Sequence, residues 1–112
     1  MRNHDYWVYI LTNKSRTTLY IGVTNNITLR LYQHRYGDVE GFAKRYRLNL
    51  VWLEHFRNVN DAIACEKKLK GWRRSRKIAL VERMNPRWLD LSDDWEQHPS
   101  VYERQHRMEE MI

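Results

Sequence analysis

Tyr6-Trp7-Val8-Tyr9-Ile10-Leu11 and Leu19-Tyr20-Ile21-Gly22-Val23 are two short apolar runs separated by a polar stretch containing Asn13-Lys14-Ser15-Arg16-Thr17-Thr18. β-Branched and aromatic residues suit a half-buried pleated surface, and a polar connection of this kind turns the chain back, so the pair predicts a β-hairpin. Side chains alternate along a strand. Val8, Ile10, Leu19, Ile21 and Val23 therefore share one face as an apolar wall, and Tyr9, Tyr20 and Gly22 share the other. Two phenols beside a residue with no side chain leave room for a group to approach the strand. The same alternation also fits two aromatics packing across a hairpin.

The segment Asn26-Ile27-Thr28-Leu29-Arg30-Leu31-Tyr32-Gln33-His34 follows. Asn25 or Asn26 can cap a helix here, and Ile27 with Leu31 forms its apolar ridge. Arg30 and His34 lie one turn apart on one side. A guanidinium suits a phosphate oxygen, and an imidazole can share or move a proton near neutral pH. An Arg/His pair at this spacing is equally a pattern of solvated helix faces.

Tyr9, Tyr20-Ile21-Gly22, Arg30, His34 and Glu66 form an ordered set that resembles the GIY-YIG nuclease superfamily, in particular its small bacterial single-domain members. Tyr9 matches the tyrosine of the first half-motif, and Tyr20-Ile21-Gly22 reproduces the second. Trp7-Val8 stands where the family name has glycine and isoleucine. The resemblance runs from Tyr6 to about Leu91. It implies an α/β (α+β) fold with a small three-stranded, mainly antiparallel sheet flanked by helices in the order β-β-α-β-α-α. It also implies a metal-dependent endonuclease using Tyr9, Tyr20, Arg30, His34, Glu66 and Asn85, with Glu66 binding Mg²⁺ or Mn²⁺. The alternative from another class is a binding module for DNA or RNA that keeps the fold without turnover.

The remaining elements are read from the residues. Gly37 to Arg47 is a loop ending in Lys44-Arg45-Tyr46-Arg47, and Leu48 to Phe56 is a third strand. Asn58 or Asn60 caps a helix reaching Lys70, which Gly71 can terminate. Ser75 can cap a further helix through Met84, ended by Pro86. Helical spacing makes Ala62, Cys65, Leu69 and Trp72 a buried stripe with Glu66 at its edge. Glu66 reads either as an i,i+4 partner of Lys70 or as a hard oxygen ligand for a divalent ion. Glu54 and Asp61 are spare carboxylates, and His4, His55, His98 and His106 show no ligand spacing.

With 112 residues and 42% hydrophobic content the chain forms one small domain with one core. No run of about eighteen apolar residues is present, and no signal-peptide pattern opens the chain, so neither a membrane span nor export is expected. A single cysteine, Cys65, forms no internal disulfide and suits the cytoplasm. The net charge of +6 hides a division: residues 1–88 carry eighteen Lys/Arg against seven Asp/Glu, and residues 89–112 carry two against seven. Lys67 to Lys77 holds seven positive residues and no acid. The pattern is the footprint of a polyanion, and no amphipathic lipid-inserting helix accompanies it, so nucleic acid is expected rather than membrane. Lys44, Arg45, Lys67, Lys70, Trp72, Arg73, Arg74, Arg76 and Lys77 are the candidate nucleic-acid contacts, on a monomer or weak homodimer. Residues 1–91 form the nuclease-like domain. Residues 92–112 form an acidic extension in which Ser100 and Glu103 could start a helix.

Overall fold

The hairpin forms as its alternation dictates. In the computed structural model, which describes residues 4–36 and 48–96, β1 (Tyr6–Thr12) pairs antiparallel with β2 (Leu19–Thr24), with Tyr9 opposite Gly22 and Leu11 opposite Tyr20. The third strand, β3 (Asn49–Phe56), adds antiparallel to the other side of β1, giving the sheet order β2-β1-β3. Helices α1 (Ile27–Tyr36), α2 (Val59–Gly71) and α3 (Arg74–Met84) complete the β-β-α-β-α-α order, and a short α4 (Asp93–Glu96) follows. This is the α+β architecture expected from the sequence.

Both faces of the sheet are buried. Val8, Ile10, Val51 and Trp52 pack with Ala62 and Leu69 of α2 and Val81 of α3; Leu19, Ile21 and Val23 flank them. On the opposite face Tyr9, Leu11, Leu48 and Leu50 pack with Ile27 and Leu31 of α1, and Trp95 of α4 joins that cluster. The single expected core is therefore two layers divided by the sheet, and the tyrosine face is closed by α1 rather than open.

Short polar side chains fix where the helices begin. Asn26 caps α1, its Oδ1 accepting from Leu29 N at 3.0 Å, and Asn58 caps α2 by accepting from Asn60 N and Asp61 N. Gly71 is the last residue of α2 and takes no left-handed turn; the chain leaves through extended Trp72. Ser75 is not the cap of α3. Extended Arg73 occupies that position and makes no side-chain capping bond, which places Ser75 inside the first turn.

β3 carries a bulge at Val51, where the register with β1 shifts between Ile10 and Leu11. An extra residue bends a strand and leaves backbone groups needing partners. The segment after α3 supplies them. Asn85 donates through Nδ2 to Val51 O (3.2 Å) and Leu89 O (2.7 Å), and Leu89 N donates to Asn85 Oδ1 at 2.9 Å. Asp90 Oδ1 accepts from Leu50 N, and Leu91 N donates to Leu50 O at 2.7 Å. Ser92, fully buried, gives both its N–H and its hydroxyl to Asp90 Oδ1. This protects the outer edge of β3 from pairing with another strand, and carries ordered packing through Ser92 and Trp95. Residues 97–112, which hold most of the acidic extension, lie outside the described residues.

Candidate active site

Tyr9 is the centre of the site. Its side chain is 4% exposed, and its hydroxyl shares a 3.0 Å hydrogen bond with His34 Nε2, joining β1 to α1 across 25 residues. The two rings meet nearly edge to face, with centroids 5.8 Å apart. Helical spacing puts exposed Arg30 one turn before His34. Tyr20 is a diagonal neighbour of Tyr9 on the same face of the hairpin, half-buried at the margin of the α1-side cluster.

Gly22 has a use different from the one expected. A Cβ built there would lie closer than 3.0 Å to the hydroxyl, Cζ and Cε1 of Tyr9. The space beside β2 thus receives the phenol of Tyr9 itself and not an incoming group. Gly22→Ala should force the ring away from His34, and overpacking of this kind costs about 1–3 kcal/mol. A lowered urea midpoint in the variant would show that displacement; an unchanged midpoint would contradict it.

Electrostatics tie four of the candidate residues together. Burial pushes the Tyr9 phenol above its ordinary pKa of 10.0; the Arg30 charge opposes this, and the Glu66 carboxylate adds to it. Desolvation outweighs Arg30, so the net shift is upward. Burial also lowers the pKa of His34 below 6.5, and Arg30 lowers it further. At neutral pH the pair is a neutral phenol against a neutral imidazole.

A linkage effect follows for His34. The unfolded chain binds the proton more readily than the folded one, so this contribution to stability is fully present above pH 6.5. It is lost as pH falls below that value and through the folded pKa. Unfolding free energy measured at pH 7.5 and in mildly acidic buffer should show this decline in the wild type and a smaller one in His34→Gln. Identical declines would contradict the assignment.

Glu66 projects from α2, its side chain 17% exposed, with Lys70 Nζ 3.4 Å from Oε1. The i,i+4 partner expected from the sequence is thus in place, and the carboxylate is near enough to Tyr9 for its charge to be felt there. Among the described residues no group of three or more His, Cys, Asp or Glu side chains gathers to hold a metal. Glu66 is the one candidate-site carboxylate that could hold a hard divalent ion, of the kind that takes one or two carboxylates and completes its shell with water.

The other candidates are distributed more widely. Asn85 is buried with its amide committed to the backbone of Val51 and Leu89, so it braces β3. Trp72 is flanked by cations, with the Arg76 guanidinium 4.0 Å and Lys68 Nζ 5.8 Å from its ring centroid. Lys67, Lys70, Arg73, Arg74 and Arg76 are exposed on α2, α3 and the corner between them, with Lys77 half-buried. Lys44 and Arg45 lie outside the described residues. Cys65 has a thiol pKa raised by burial and by Glu54, the opposite of an activated thiolate. Sequence reasoning passed over the 2.6 Å hydrogen bond between His55 Nε2 and Asp5 Oδ1 and the tilted ring contact of His55 with Trp7. Those partners are 50 residues apart and no local pattern reveals them.

Among curated proteins, the chain is 33% identical over 79 residues to a UPF0213 protein of Vibrio parahaemolyticus, covering 70% of this chain and 74% of that one. It is 34% identical over 76 residues to a UPF0213 protein of Clostridium perfringens, covering 67% and 81%. A UPF0213 protein of Bacillus pumilus matches at 29% over 85 residues, covering 75% and 86%. The family model described as the GIY-YIG catalytic domain matches residues 5–79. That span takes in the hairpin, α1, β3 and α2, the elements that carry Tyr9, Tyr20, Arg30, His34 and Glu66, while Asn85 lies beyond it. The chain belongs to the GIY-YIG family.

Proposed function

We propose that the protein is an endonuclease that hydrolyses DNA phosphodiester bonds with the aid of a divalent metal ion and with weak sequence specificity, in DNA repair or processing. The observation that carries this reading is the Tyr9–His34 hydrogen bond, held within the electrostatic reach of both Arg30 and Glu66. Phosphodiester hydrolysis needs a water stripped of its proton, and charge relief on the phosphoryl oxygens and the departing oxygen.

With Nε2 unprotonated, the Tyr9 hydroxyl donates to His34. Tyr9 can then take a proton from an attacking water as it passes its own to Nε2, so the phenol never needs to persist as a phenolate. The lowered pKa of His34 keeps Nε2 available as an acceptor at neutral pH. Tyr20, beside Tyr9 on the same face, would orient the water or a phosphate oxygen. Arg30, exposed at the rim, would clamp a non-bridging oxygen and stabilise the charge that grows on it. Glu66 would hold Mg²⁺ or Mn²⁺, which when bound supplies Lewis-acid neutralisation of phosphate and leaving-group charge. Asn85 would act at a distance, by fixing β3.

Lys67, Lys70, Trp72, Arg73, Arg74, Arg76 and Lys77 would line the path of the nucleic acid, with Lys44 and Arg45 from the segment before β3. A domain this small has little surface for reading a long site, hence the weak specificity. A lone cysteine suits a cytoplasmic setting, and no helix among the described residues is long and apolar enough to cross a membrane.

Arg30→Ala separates this reading from that of a binding module without turnover. The nuclease reading expects cleavage to fall about 10²–10³-fold, the usual cost of losing one preorganised charge-stabilising group. Binding should weaken only by the loss of one phosphate contact. Equal proportional losses in binding and in any apparent cleavage would favour the binding module.

A further inference from the structure

We propose that the β1–β2 turn is a second nucleic-acid contact, in which Lys14 and Arg16, braced against the α2–α3 corner, grip backbone phosphates away from the scissile one. The proposal rests on the reading of the chain as a DNA nuclease and assigns a surface that the candidate contacts on α2 and α3 do not include.

The turn is rigid. Asn13 Oδ1 accepts from Thr17 N at 2.9 Å and Thr18 N at 3.1 Å, its Nδ2 donates to Thr17 Oγ1 at 2.7 Å, and its carbonyl accepts from Arg16 N at 3.0 Å. Thr12 Oγ1 donates to Thr18 O at 2.9 Å, closing the base of the turn. Arg16 sits at φ 60°, in the left-handed region that disfavours a non-glycine residue. Glycine or asparagine would meet that backbone requirement more easily. The arginine found there meets the ring of Trp88 through its side chain and Arg74 through its carbonyl.

That side chain is held ready. The Arg16 guanidinium lies over the buried ring of Trp88, 5.3 Å from its centroid, and Trp88 is the other described non-glycine residue with positive φ, at 55°. Arg74 of α3 donates to the Arg16 carbonyl at 2.5 Å, tying the turn to the basic corner across 58 residues. A guanidinium resting over an aromatic ring keeps N–H groups for an oxygen ligand, and part of its immobilisation is paid before binding. Lys14, Arg16, Arg73 and Arg74 are all exposed, and none forms an ion pair with a carboxylate among the described residues. Two pairs of cations from distant stretches are thus tied together through Arg16 and Arg74, with no carboxylate partner among the described residues.

The location suits a flanking grip. Tyr9 lies three residues before Thr12, where hairpin pairing ends. At about 3.3 Å per residue the turn begins roughly 10 Å from the catalytic tyrosine. That is about three nucleotides of rise along a strand; Arg16 over Trp88 lies on the α2–α3 side and Tyr9 on the α1 side, so one substrate would engage both places by passing around the β2 edge of the sheet.

The test is binding of wild type and Lys14→Glu/Arg16→Asn to a labelled random-sequence DNA duplex in EDTA, by fluorescence anisotropy across about 50–200 mM salt. Asparagine tolerates the left-handed backbone, so the double variant removes charge without straining the turn. The dependence of log K on log salt should flatten by about two units, with Kd raised roughly tenfold or more near 0.1 M salt. Lys14→Glu alone, at an exposed position outside the turn's hydrogen bonds, reverses a charge and should give more than half of the loss in affinity with an unaltered melting temperature, which a merely structural role for Arg16 would not produce. Wild-type-like affinity and slope in both variants, against a wild type that binds with strong salt dependence, would overturn the proposal and leave the nuclease reading standing. A wild type that shows no salt-dependent binding would overturn both.

Discussion

Glu66→Gln is expected to abolish divalent-dependent cleavage while leaving metal-free nucleic-acid binding equal or slightly tighter. Glutamine keeps the shape and hydrogen-bonding reach of glutamate and removes only the anionic oxygens a hard divalent ion requires. The fold should tolerate the change. The interaction lost is an i,i+4 pair with Lys70, itself 56% exposed, and such pairs contribute about 0.3–0.5 kcal/mol. Removing a negative charge from a strongly basic surface favours a polyanion, which is why binding should not fall. Gel-based cleavage with Mg²⁺ or Mn²⁺, run beside anisotropy in EDTA, measures both halves. A variant that cuts like wild type would remove Glu66 from the mechanism.

Tyr9→Phe should lower turnover by about 10²–10⁴-fold, the range that a positioned acid or base contributes, with little change in substrate binding. Only the hydroxyl is lost. The ring still fills the space over Gly22, and the missing bond to His34 costs about 0.5–1.5 kcal/mol at most, partly offset because phenylalanine is easier to bury. The loss should therefore appear in the rate constant with substrate saturating, while thermal unfolding stays near wild type. A Tyr9→Phe enzyme with unimpaired turnover would move the proton-accepting role to Tyr20, the neighbouring phenol on the same face.

How much of this was legible in the sequence depends on the range of each interaction. Period-two alternation in Tyr6–Leu11 and Leu19–Val23 sufficed to place the strands and divide their faces, because side-chain direction in a strand is a local property. Asparagine caps at Asn26 and Asn58 were readable for the same reason. The second buried layer was not, since Leu48, Leu50 and Trp95 meet Ile27 and Leu31 only after the chain has folded across the sheet. Ser75 looked like a cap because its chemistry is right, but extended Trp72 and Arg73 start α3 two residues earlier. Gly22 was correctly marked as a place of close approach, yet the approaching group is the ring of the residue directly opposite. Asp90 looked like one charge in an acidic block and instead satisfies three donors at the edge of β3.

For the site, residue types and order pointed to Tyr9, Arg30, His34 and Glu66 through their resemblance to a family. Their meeting is a tertiary fact: no spacing rule places a histidine of α1 at 3.0 Å from a tyrosine of β1. The direction of the Tyr9 pKa shift was likewise beyond sequence, because it depends on burial outweighing a nearby cation. That balance is why the proposed mechanism passes the proton on to His34 instead of relying on a standing phenolate.

The most direct measurement of the central claim is incubation of the purified protein with labelled duplex, flap and single-stranded DNA and with RNA, each with Mg²⁺, with Mn²⁺ and with EDTA. The account predicts strand cleavage of at least one DNA substrate that depends on the divalent ion, stops in EDTA and is lost in Glu66→Gln. Salt-dependent binding to these nucleic acids with no divalent-dependent cleavage of any of them would contradict it, and the domain would then be a binding module built on a nuclease fold.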